Sequence, residues 1–357
     1  MCVTRVEAIG EQIPEDLIQQ AMAMANTAVA GIIDTQVALA KEISAKKNTF
    51  FAKKSFFTVP ERMTQEVRAM GYDSAVEVYS HGVADKAARG RSEGVVRTEL
   101  LQRVAAHPEW GSQSSLIQAM AVDGVMHQAF RAVLLGSSDA LATDAAAVAV
   151  RRSDGRALDE VRPIGAATEV LPSVHGSAYF ARGDTHVLGT VTLGSLKDSR
   201  IVLPIDGSGE EKKQPFMLHY DFPPYATGAM GNATAPNRRM VGHGNLAEKA
   251  LRPVMPSFED FPYAVRVFCE CTGSNGSSSM ASACAGSLAL YDAGVPLKAA
   301  VAAVSVGLVT DESVAVNYDS PDSAVAAVSG KEFVLLKDIL GSEDHHGDMD
   351  YKIGGKN

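Results

Sequence analysis

The sequence predicts an α+β protein in which an all-helical domain precedes a core of mixed β-sheet with packed helices. Up to about residue 150, apolar residues recur at spacings of three, four and seven, which is typical of amphipathic helices. From Arg151 onward, short alternating or continuously apolar runs predict strands. Only two helical patterns, roughly 243–253 and 277–292, interrupt those runs, and many strands with few helices indicate an α+β domain.

Composition narrows the class of protein. A length of 357 residues suggests two or three domains, and 46% hydrophobic with 21% charged residues is typical of a globular protein. The net charge of −9 excludes a coat-like nucleic-acid binder but leaves room for a local basic groove. The four cysteines form no disulfide or zinc pattern, which favours a reducing compartment. We expect no signal peptide, no membrane-spanning run and no membrane partner.

The helical domain begins where Pro14, Glu15 and Asp16 form a favourable first turn. The apolar face that follows is about six turns long and predicts a helix that ends near Lys47. Further helices are predicted over 60–70, 73–89, 92–106 and 113–135, separated by Gly71, Gly90, Pro108 and Gly111.

The second half of the chain is predicted to consist mainly of strands. Phe333 to Leu336 is expected to be a buried strand, and residues 309–331 an excursion between two strands. The other predicted strands are 176–180, 185–193, 200–204, 216–219, 263–271 and 301–308.

An acidic stretch near the end of the chain is the strongest chemical signal. Residues 338–352 hold four aspartates, one glutamate and two histidines, and like charges this dense repel one another unless a cation lies among them. Oxygen ligands without cysteine favour Mg²⁺ or Mn²⁺. Asp348, Asp350 and Lys352 share a face if the segment is extended, and a lysine among such carboxylates is typical of a phosphate-handling site. The alternative is a solvated acidic loop.

Two further groups point to anion binding. Ser277, Ser278 and Ser279 precede a helix of small residues, where free backbone N–H groups and hydroxyls face an anion; the alternative is an ordinary serine N-cap. A serine hydrolase is disfavoured because no G-x-S-x-G elbow surrounds them. Arg238 and Arg239 precede another predicted helix and can bind phosphates bidentately, unless they form a solvated face.

Other side chains complete this second group. His243 follows the arginines and is placed to bind or protonate a phosphate, or simply to cap the helix. Upstream, Phe222 and Tyr225 offer aromatic rings for base stacking, or form a packed turn. Carboxylates, an anion-binding helix start and paired arginines are together the parts of phosphoryl or nucleotidyl transfer.

These motifs closely resemble the second RNase PH-type core of the polynucleotide phosphorylase family. The resemblance spans 151–357 in unbroken order, whereas 10–150 is similar to the family's inter-core helical domain through weaker motifs. The motifs that carry it are Arg152-Ser-Asp-Gly-Arg156, Leu158-Asp-Glu-Val-Arg162-Pro-Ile, His175-Gly-Ser-Ala, Arg182-Gly-Asp-Thr, His219-Tyr-Asp-Phe-Pro-Pro, Arg238-Arg239 with Gly242-His243-Gly-Asn-Leu-Ala-Glu, Ser274-Asn-Gly-Ser-Ser-Ser-Met-Ala, Asp292-Ala-Gly-Val-Pro, and Asp338-Ile-Leu-Gly with Glu343-Asp344-His345 and Gly347-Asp348-Met-Asp350.

The resemblance implies a domain order and a fold. Residues 1–9 would be the last strand of a first core, 10–150 an all-helical linker domain, and 151–357 a second RNase PH-type catalytic core, incomplete at its C-terminal end. That core would have the ribosomal protein fold-like arrangement of a mixed sheet with packed helices. The rest of the family's second core and its KH and OB-type RNA-binding domains are not expected within these residues.

The resemblance also implies an activity: processive 3′→5′ phosphorolysis of single-stranded RNA from its 3′ end. Inorganic phosphate is the co-substrate, nucleoside diphosphates are released, and the reverse reaction polymerises them. Family members are homotrimers, and we expect bacterial cytoplasm, or the mitochondrial or plastid matrix of a eukaryote. Carried over by motif, Asp344 and Asp350 would hold Mg²⁺ or Mn²⁺ beside Lys352, with Asp348 supporting the loop or the metal. Ser277, Ser278 and Ser279 would bind phosphate, and Arg238, Arg239 and His243 would hold RNA phosphates or the incoming phosphate.

Two other functions stay open at this point. One is an RNA-binding or assembly subunit of an exosome-like ring without catalysis, and the other is a metal-dependent exoribonuclease that uses water. The sequence also departs from the family pattern beside the expected RNA path. Ala229 and Met230 replace a glycine–glutamate step, and Met240 replaces the acid that usually follows the two arginines.

Overall fold

The computed structural model describes residues 5–10, 13–47, 58–136, 152–203, 211–231, 237–310 and 333–356. The chain separates into two compact units. The first comprises residues 1–149 with 311–333, and the second comprises 150–310 with 334–357. Beyond Thr310, the predicted excursion at 309–331 lies outside the described residues.

The first unit is helical where it is described, as predicted. Its helices are α1 (Glu15–Lys47), α2 (Glu61–Ser80), α3 (Lys86–Ala105) and α4 (Ser115–Leu135). Helices α2, α3 and α4 pack on one another. The side chains that meet between them are buried and apolar, among them Met63, Val67, Ala75, Leu100, Val104, Val122, Val125 and Phe130.

The predicted helix breaks at Gly71 and Gly90 are wrong. Helix α2 runs through Gly71 because this position is a packing site: a Cβ there would lie 2.1 Å from Cδ2 of Leu100. Gly90 lies inside α3, where a Cβ would meet nothing within 4 Å, so it interrupts nothing. The actual break follows α2, where Gly82 adopts φ +61° and Asp85 caps α3 by accepting a hydrogen bond from the Ala88 N–H at 2.6 Å.

Helix α1 confirms the long N-terminal helix, but its apolar side chains are exposed where they are described. By length and composition alone, Glu15–Ile43 is also apolar enough to cross a membrane. From the sequence we expected no membrane-spanning run. Helix α1 nevertheless passes this test because no charged residue lies between Asp16 and Asp34. Residues 5–10 carry no regular secondary structure, so the strand expected there is not formed where it is described.

The second unit contains a five-stranded mixed sheet in the order β1-β2-β3-β7-β6. Only β6 and β7 run parallel in this sheet; the other neighbours are antiparallel. The strands are β1 (Ile164–Thr168), β2 (Gly176–Arg182), β3 (Thr185–Gly194), β6 (Phe216–Asp221) and β7 (Ala264–Gly273), and a separate ribbon pairs β4 (Arg200–Val202) with β5 (Lys212–Gln214).

A second sheet has the order β10-β8-β9, with β8 (Ala302–Thr310), β9 (Phe333–Lys337) and β10 (Met349–Gly355). The short helix α7 (Gly341–His346) connects β9 to β10. The prediction of a buried strand at 333–336 is only partly right. Leu336 is buried, but Phe333 and Leu335 are 46% and 51% exposed because one face of this strand is uncovered.

Helix α6 (Ser278–Asp292) lies in the core of this unit and contacts β2, β3, β7 and β8. Its small residues permit close approach: a Cβ on Gly189 of β3 would lie 3.1 Å from the Ala285 backbone. Helix α5 (Arg238–Leu251) packs on α6 and β6. Cys269 and Cys271 are fully buried on one face of β7, which confirms their predicted packing role.

Candidate active site

The start of α6 presents hydroxyl groups without partners. Ser277, the residue before the helix, adopts φ +54°, a left-handed conformation that is uncommon outside glycine. The Oγ atoms of Ser277 and Ser279 are buried and make no hydrogen bond within the described structure. Ser278 differs, because its Oγ shares a 2.7 Å hydrogen bond with the Tyr220 hydroxyl. Unpaired hydroxyls beside the free N–H groups of a first helical turn suit an anion.

Two arginines donate hydrogen bonds to the backbone of the turn before α6. Arg162 Nη1 donates to the carbonyl of Asn275 at 2.7 Å, and Arg182 Nη2 donates to the carbonyl of Ser277 at 3.1 Å. Thr185 Oγ1 donates to the carbonyl of Gly276 at 3.0 Å and accepts from the Asn275 N–H at 3.0 Å. The unusual backbone of this turn, called the serine turn below, is therefore held by side chains from β2, β3 and the segment before β1.

The two predicted arginines lie in the first turn of α5, which begins before the helix start expected near residue 243. Asn237 caps the helix by accepting from the Met240 N–H at 2.9 Å. Arg238 and Arg239 are both exposed, and the guanidinium of Arg239 lies 4.5 Å from the ring centroid of Phe222. Arg239 thus has a defined position, whereas Arg238 projects from the same turn without a described contact.

One departure from the family pattern has a structural explanation. Met240 stands where a capping acid would reach back to the cap residue, and its sulfur accepts from the Asn237 N–H at 3.4 Å. A thioether is a weak acceptor, so this replacement keeps the geometry of the cap but removes a negative charge beside Arg239. Met230, the other departure, is fully exposed.

His243 lies one turn further along α5, against the ring of Tyr220 at a centroid distance of 5.5 Å. Burial is the largest cause that lowers the pKa of His243 to about 4, with the positive charges of Arg239 and Lys352 adding to it and Asp344 opposing it. Its buried Nδ1 has no hydrogen-bond partner in the described structure. The imidazole is therefore neutral near pH 7 and has a free ring nitrogen.

Lys352 lies near two of the predicted acids, Asp344 and Asp350. Asp350 and Lys352 lie on one face of β10, and Lys352 Nζ contacts Asp350 Oδ2. Burial and the charge of Arg239 hold the pKa of Lys352 below its usual value, against the opposing effect of Asp344. His243 and Lys352 are therefore each close enough to Arg239 and Asp344 to interact with them electrostatically.

The same carboxylates fit a divalent cation. Asp350 Oδ1 is buried without a hydrogen-bond partner in the described structure, which is costly unless a cation or a ligand group meets it. Asp344 is exposed on α7, and oxygen donors suit Mg²⁺ or Mn²⁺. No group of three or more acidic, histidine or cysteine side chains with metal-site geometry occurs among the described residues.

Asp348 supports the loop, one of its two predicted roles. Its Oδ2 accepts from the Thr310 N–H at 2.8 Å and from the Thr310 hydroxyl at 2.9 Å. These bonds join the segment before β10 to the end of β8. Asp348 therefore holds the strand that carries Asp350 and Lys352.

Two other acids of the stretch are neutralised by arginine, which corrects the expectation that a cation lies among all of them. Asp338 and Glu343 are fully buried; Arg162 Nη2 lies 2.7 Å from Asp338 Oδ1, and Arg152 Nε donates to Glu343 Oε1 at 2.7 Å. A short segment of sequence shows its own charges but not the arginines that fold against it from far along the chain.

Comparison with known proteins shows what part of this chain is similar to. Residues 160–296 match the RNase PH model, described as the 3′ exoribonuclease family, domain 1. The solved structure of rice (Oryza sativa) Rrp46 aligns with a TM-score of 0.40 at 21% identity, covering 58% of this chain and 86% of that one, a likeness too low to support a conclusion.

Relatives with curated names extend the match to nearly the whole chain. A polyribonucleotide nucleotidyltransferase of Thermus thermophilus is 37% identical over 99% of this chain. Those of Caldicellulosiruptor saccharolyticus and Dehalococcoides mccartyi are each 36% identical over 99% of it. The chain covers 43 to 45% of the lengths of these relatives. Residues 160–296 are therefore similar to the RNase PH, 3′ exoribonuclease family, and the chain is similar to somewhat less than half of a polyribonucleotide nucleotidyltransferase.

Proposed function

We propose that this chain carries the active site of a phosphate-dependent 3′→5′ exoribonuclease, which releases nucleoside diphosphates from RNA and polymerises them in reverse. The strongest support is that groups suited to phosphate and groups suited to a divalent cation occur in the same compact unit. Unpartnered hydroxyls of Ser277 and Ser279 suit inorganic phosphate, and Asp344 and Asp350 suit a divalent cation. A hydrolase needs the cation but has no use for the phosphate site.

Phosphate is proposed to bind at the start of α6. The hydroxyls of Ser277 and Ser279 and the free N–H groups of the first turn donate to its oxygens, assisted by the helix dipole. Ser278 contributes its N–H only, because its hydroxyl is committed to Tyr220. Neutral His243 has a ring nitrogen free to accept or donate a hydrogen bond to phosphate or to the RNA.

Mg²⁺ or Mn²⁺ is proposed to be held by Asp344 and Asp350. When bound, the ion would polarise the scissile phosphoryl group and stabilise the leaving 3′-oxygen. Lys352 fixes one oxygen of Asp350 and adds positive charge where phosphoryl charge develops. Arg239, placed over Phe222, and Arg238 beside it hold the phosphates of the RNA strand.

The reaction is an in-line displacement at phosphorus. An oxygen of inorganic phosphate forms a bond to the phosphorus of the terminal phosphodiester, and the bond from that phosphorus to the 3′-oxygen of the preceding nucleotide breaks. The released terminal nucleotide carries a 5′-diphosphate, and the shortened RNA regains a 3′-hydroxyl with a proton from the phosphate. The chain's residues position the reacting groups and neutralise their charge, and no covalent enzyme intermediate forms.

The partners we propose are single-stranded RNA with a free 3′ end, nucleoside diphosphates and, for the complete enzyme, two further copies in a homotrimer. The buried free cysteines suit a reducing compartment such as the bacterial cytoplasm or an organelle matrix. We also propose that the chain needs no membrane partner, although α1, one helix of the described residues, passes the length and composition test for a membrane span.

The experiment incubates poly(A) with the chain and Mg²⁺, with and without inorganic phosphate, and separates the nucleotide products by chromatography. The proposal expects ADP that requires phosphate, and its loss in Asp350→Asn. Glu248→Gln is the matched control, since Glu248 is a buried acid of the same unit that pairs with Arg200 and Arg252. AMP formed without phosphate would establish hydrolysis instead. Binding of poly(A) with no product of either kind would favour the non-catalytic RNA-binding subunit.

A further inference from the structure

The buried carboxylate of Asp338 lies between the serine turn and α7, the helix that carries Asp344. Asp338 directly follows β9, adopts φ +53°, and has no exposed surface. Its backbone N–H donates to the carbonyl of Ser305 at 2.8 Å, which fixes the residue to β8. A buried carboxylate in a left-handed conformation is stable only when its surroundings determine it strongly.

Two arginines connect Asp338 to the serine turn. Arg162 donates Nε to Asp338 Oδ2 and Nη2 to Oδ1, each at 2.7 Å, and Arg182 Nε lies 2.7 Å from Oδ1. One further nitrogen of each guanidinium donates to the serine turn, from Arg162 to the carbonyl of Asn275 and from Arg182 to the carbonyl of Ser277. Each arginine therefore bridges the carboxylate and the turn that presents the unpartnered hydroxyls.

A third arginine connects the backbone of Asp338 to α7. Arg152 donates Nη2 to the Asp338 carbonyl at 2.8 Å and Nε to Glu343 Oε1 at 2.7 Å. Glu343 Oε2 in turn accepts from the Leu340 N–H at 2.7 Å, which closes the first turn of α7. Asp344, the proposed metal ligand, is the next residue along this helix.

The serine turn and the segment that leads into α7 also contact each other directly. Gly276 adopts φ +94°, and a Cβ there would lie 2.6 Å from the carbonyl oxygen of Ile339 and 2.7 Å from the backbone nitrogen of Gly341. The backbone of the serine turn thus rests on the backbone that leads into α7. A shift of either segment displaces the other.

We infer that Asp338 is a positioning residue that couples phosphate binding at the serine turn to divalent cation binding at Asp344. This rests on the proposed function and extends it. Removing the charge of Asp338 leaves Arg162 and Arg182 buried side by side with no acid between them, so they separate and release both segments. Because coupling between two sites is reciprocal, phosphate tightens the cation site and the cation tightens the phosphate site.

The test measures equilibrium binding, so it does not depend on turnover. Mn²⁺ binding is followed by the loss of the free-ion EPR signal, with and without phosphate, and binding of radiolabelled phosphate by equilibrium dialysis, with and without Mn²⁺. The variants are Asp338→Asn, Glu343→Gln and the control Glu248→Gln, whose acid is 3% exposed and pairs with Arg200 at 2.9 Å. Circular dichroism verifies that each is folded.

The inference predicts a distinct pattern for each variant. Asp338→Asn weakens both ligands, the cation by roughly tenfold or more as for other residues that orient metal ligands, and abolishes their mutual effect. Glu343→Gln weakens Mn²⁺ more than phosphate, because Glu343 contacts Arg152 and the first turn of α7 but no residue of the serine turn. Glu248→Gln changes neither affinity. Where Asp338→Asn does not fold, Arg182→Lys serves instead: it keeps the charge, loses the bond to the Ser277 carbonyl, and weakens phosphate more than Mn²⁺.

Other results overturn the inference. Folded Asp338→Asn with unchanged affinities, or with losses equal to those of Glu248→Gln, would show that Asp338 is an ordinary buried acid. Mutual tightening that persists in Asp338→Asn would show that the two ligands couple without it. A wild-type chain that binds both ligands with coupling, yet makes no ADP from RNA, would contradict the proposed function and leave the coupling standing.

Discussion

Arg162 and Asp338 form a two-bond ion pair in which both hydrogen bonds are 2.7 Å long and both side chains are buried. Burial raises the pKa of Asp338, but the bonds from Arg162 and the charge of Arg182 outweigh it and hold the pKa below its usual range. The pair joins residues 176 positions apart in the sequence. It connects the start of the second unit to the segment that carries the acidic stretch.

Removal of this acid is expected to destabilise the second unit. Asp338→Ala leaves two buried arginines without their partner, a kind of change that typically costs about 3–5 kcal/mol in the free energy of unfolding. Urea denaturation followed by circular dichroism measures the loss. Asp198→Ala, which removes an exposed acid that bonds only to Ser195, is the control and should change stability by less than about 1 kcal/mol. Equal losses in the two variants would contradict this role for the buried pair.

The adjacent serines of the α6 turn should respond differently to alanine. Ser279→Ala removes a hydroxyl that has no partner in the described structure, so phosphate affinity should fall by about tenfold while stability changes little. Ser278→Ala removes the hydrogen bond to Tyr220, so it should lower the free energy of unfolding by about 1 kcal/mol and leave phosphate affinity nearly unchanged. Equilibrium dialysis and urea denaturation measure the two quantities. The reverse assignment would show that Ser278 is the phosphate ligand.

His243 should stay neutral well below the pH at which free histidine titrates. Its folded pKa is about 4, lowered by burial and by Arg239 and Lys352, against a usual value of 6.5. Because the unfolded chain binds the proton more readily, stability from this group is complete above pH 6.5 and is lost as pH falls toward 4. NMR titration of the imidazole gives the pKa, and His243→Gln should lessen the loss of stability across that window. A titration midpoint near 6.5 would contradict the buried environment.

Two glycines of the helical unit should respond oppositely to alanine. Gly71→Ala places a methyl group against Leu100, and such overpacking typically costs about 1–3 kcal/mol. Gly90→Ala meets nothing within 4 Å and should stabilise α3 by roughly 0.5–1 kcal/mol through its helix propensity. Thermal unfolding of the two variants measures both effects. Stabilisation by both substitutions would show that α2 and α3 are not packed as closely at Gly71.

Local patterns were sufficient for most of the elements. The alternation of apolar residues located β2, β3 and β7 within one or two residues of their ends, and the serine run located the start of α6. The pattern failed at Gly71 because the residue that requires a glycine there, Leu100, lies in another helix.

The candidate site was also predictable in part. Asp344, Asp350, Lys352 and His243 carry their chemistry in their own side chains, and the fold brings the other three within reach of Lys352. The roles of Asp338 and Glu343 were not predictable, because their neutralising partners lie 176 and 191 positions away. Charge in a short segment does not reveal which acids face a buried arginine and which face an open site.

The most direct measurement follows the label of radioactive inorganic phosphate during degradation of poly(A) with Mg²⁺. If phosphate is the attacking group, the label appears as the β-phosphate of ADP, one atom for each nucleotide released, and Ser279→Ala requires more phosphate for the same rate. Nucleotide release with no label in the product would contradict phosphorolysis and identify water as the attacking group.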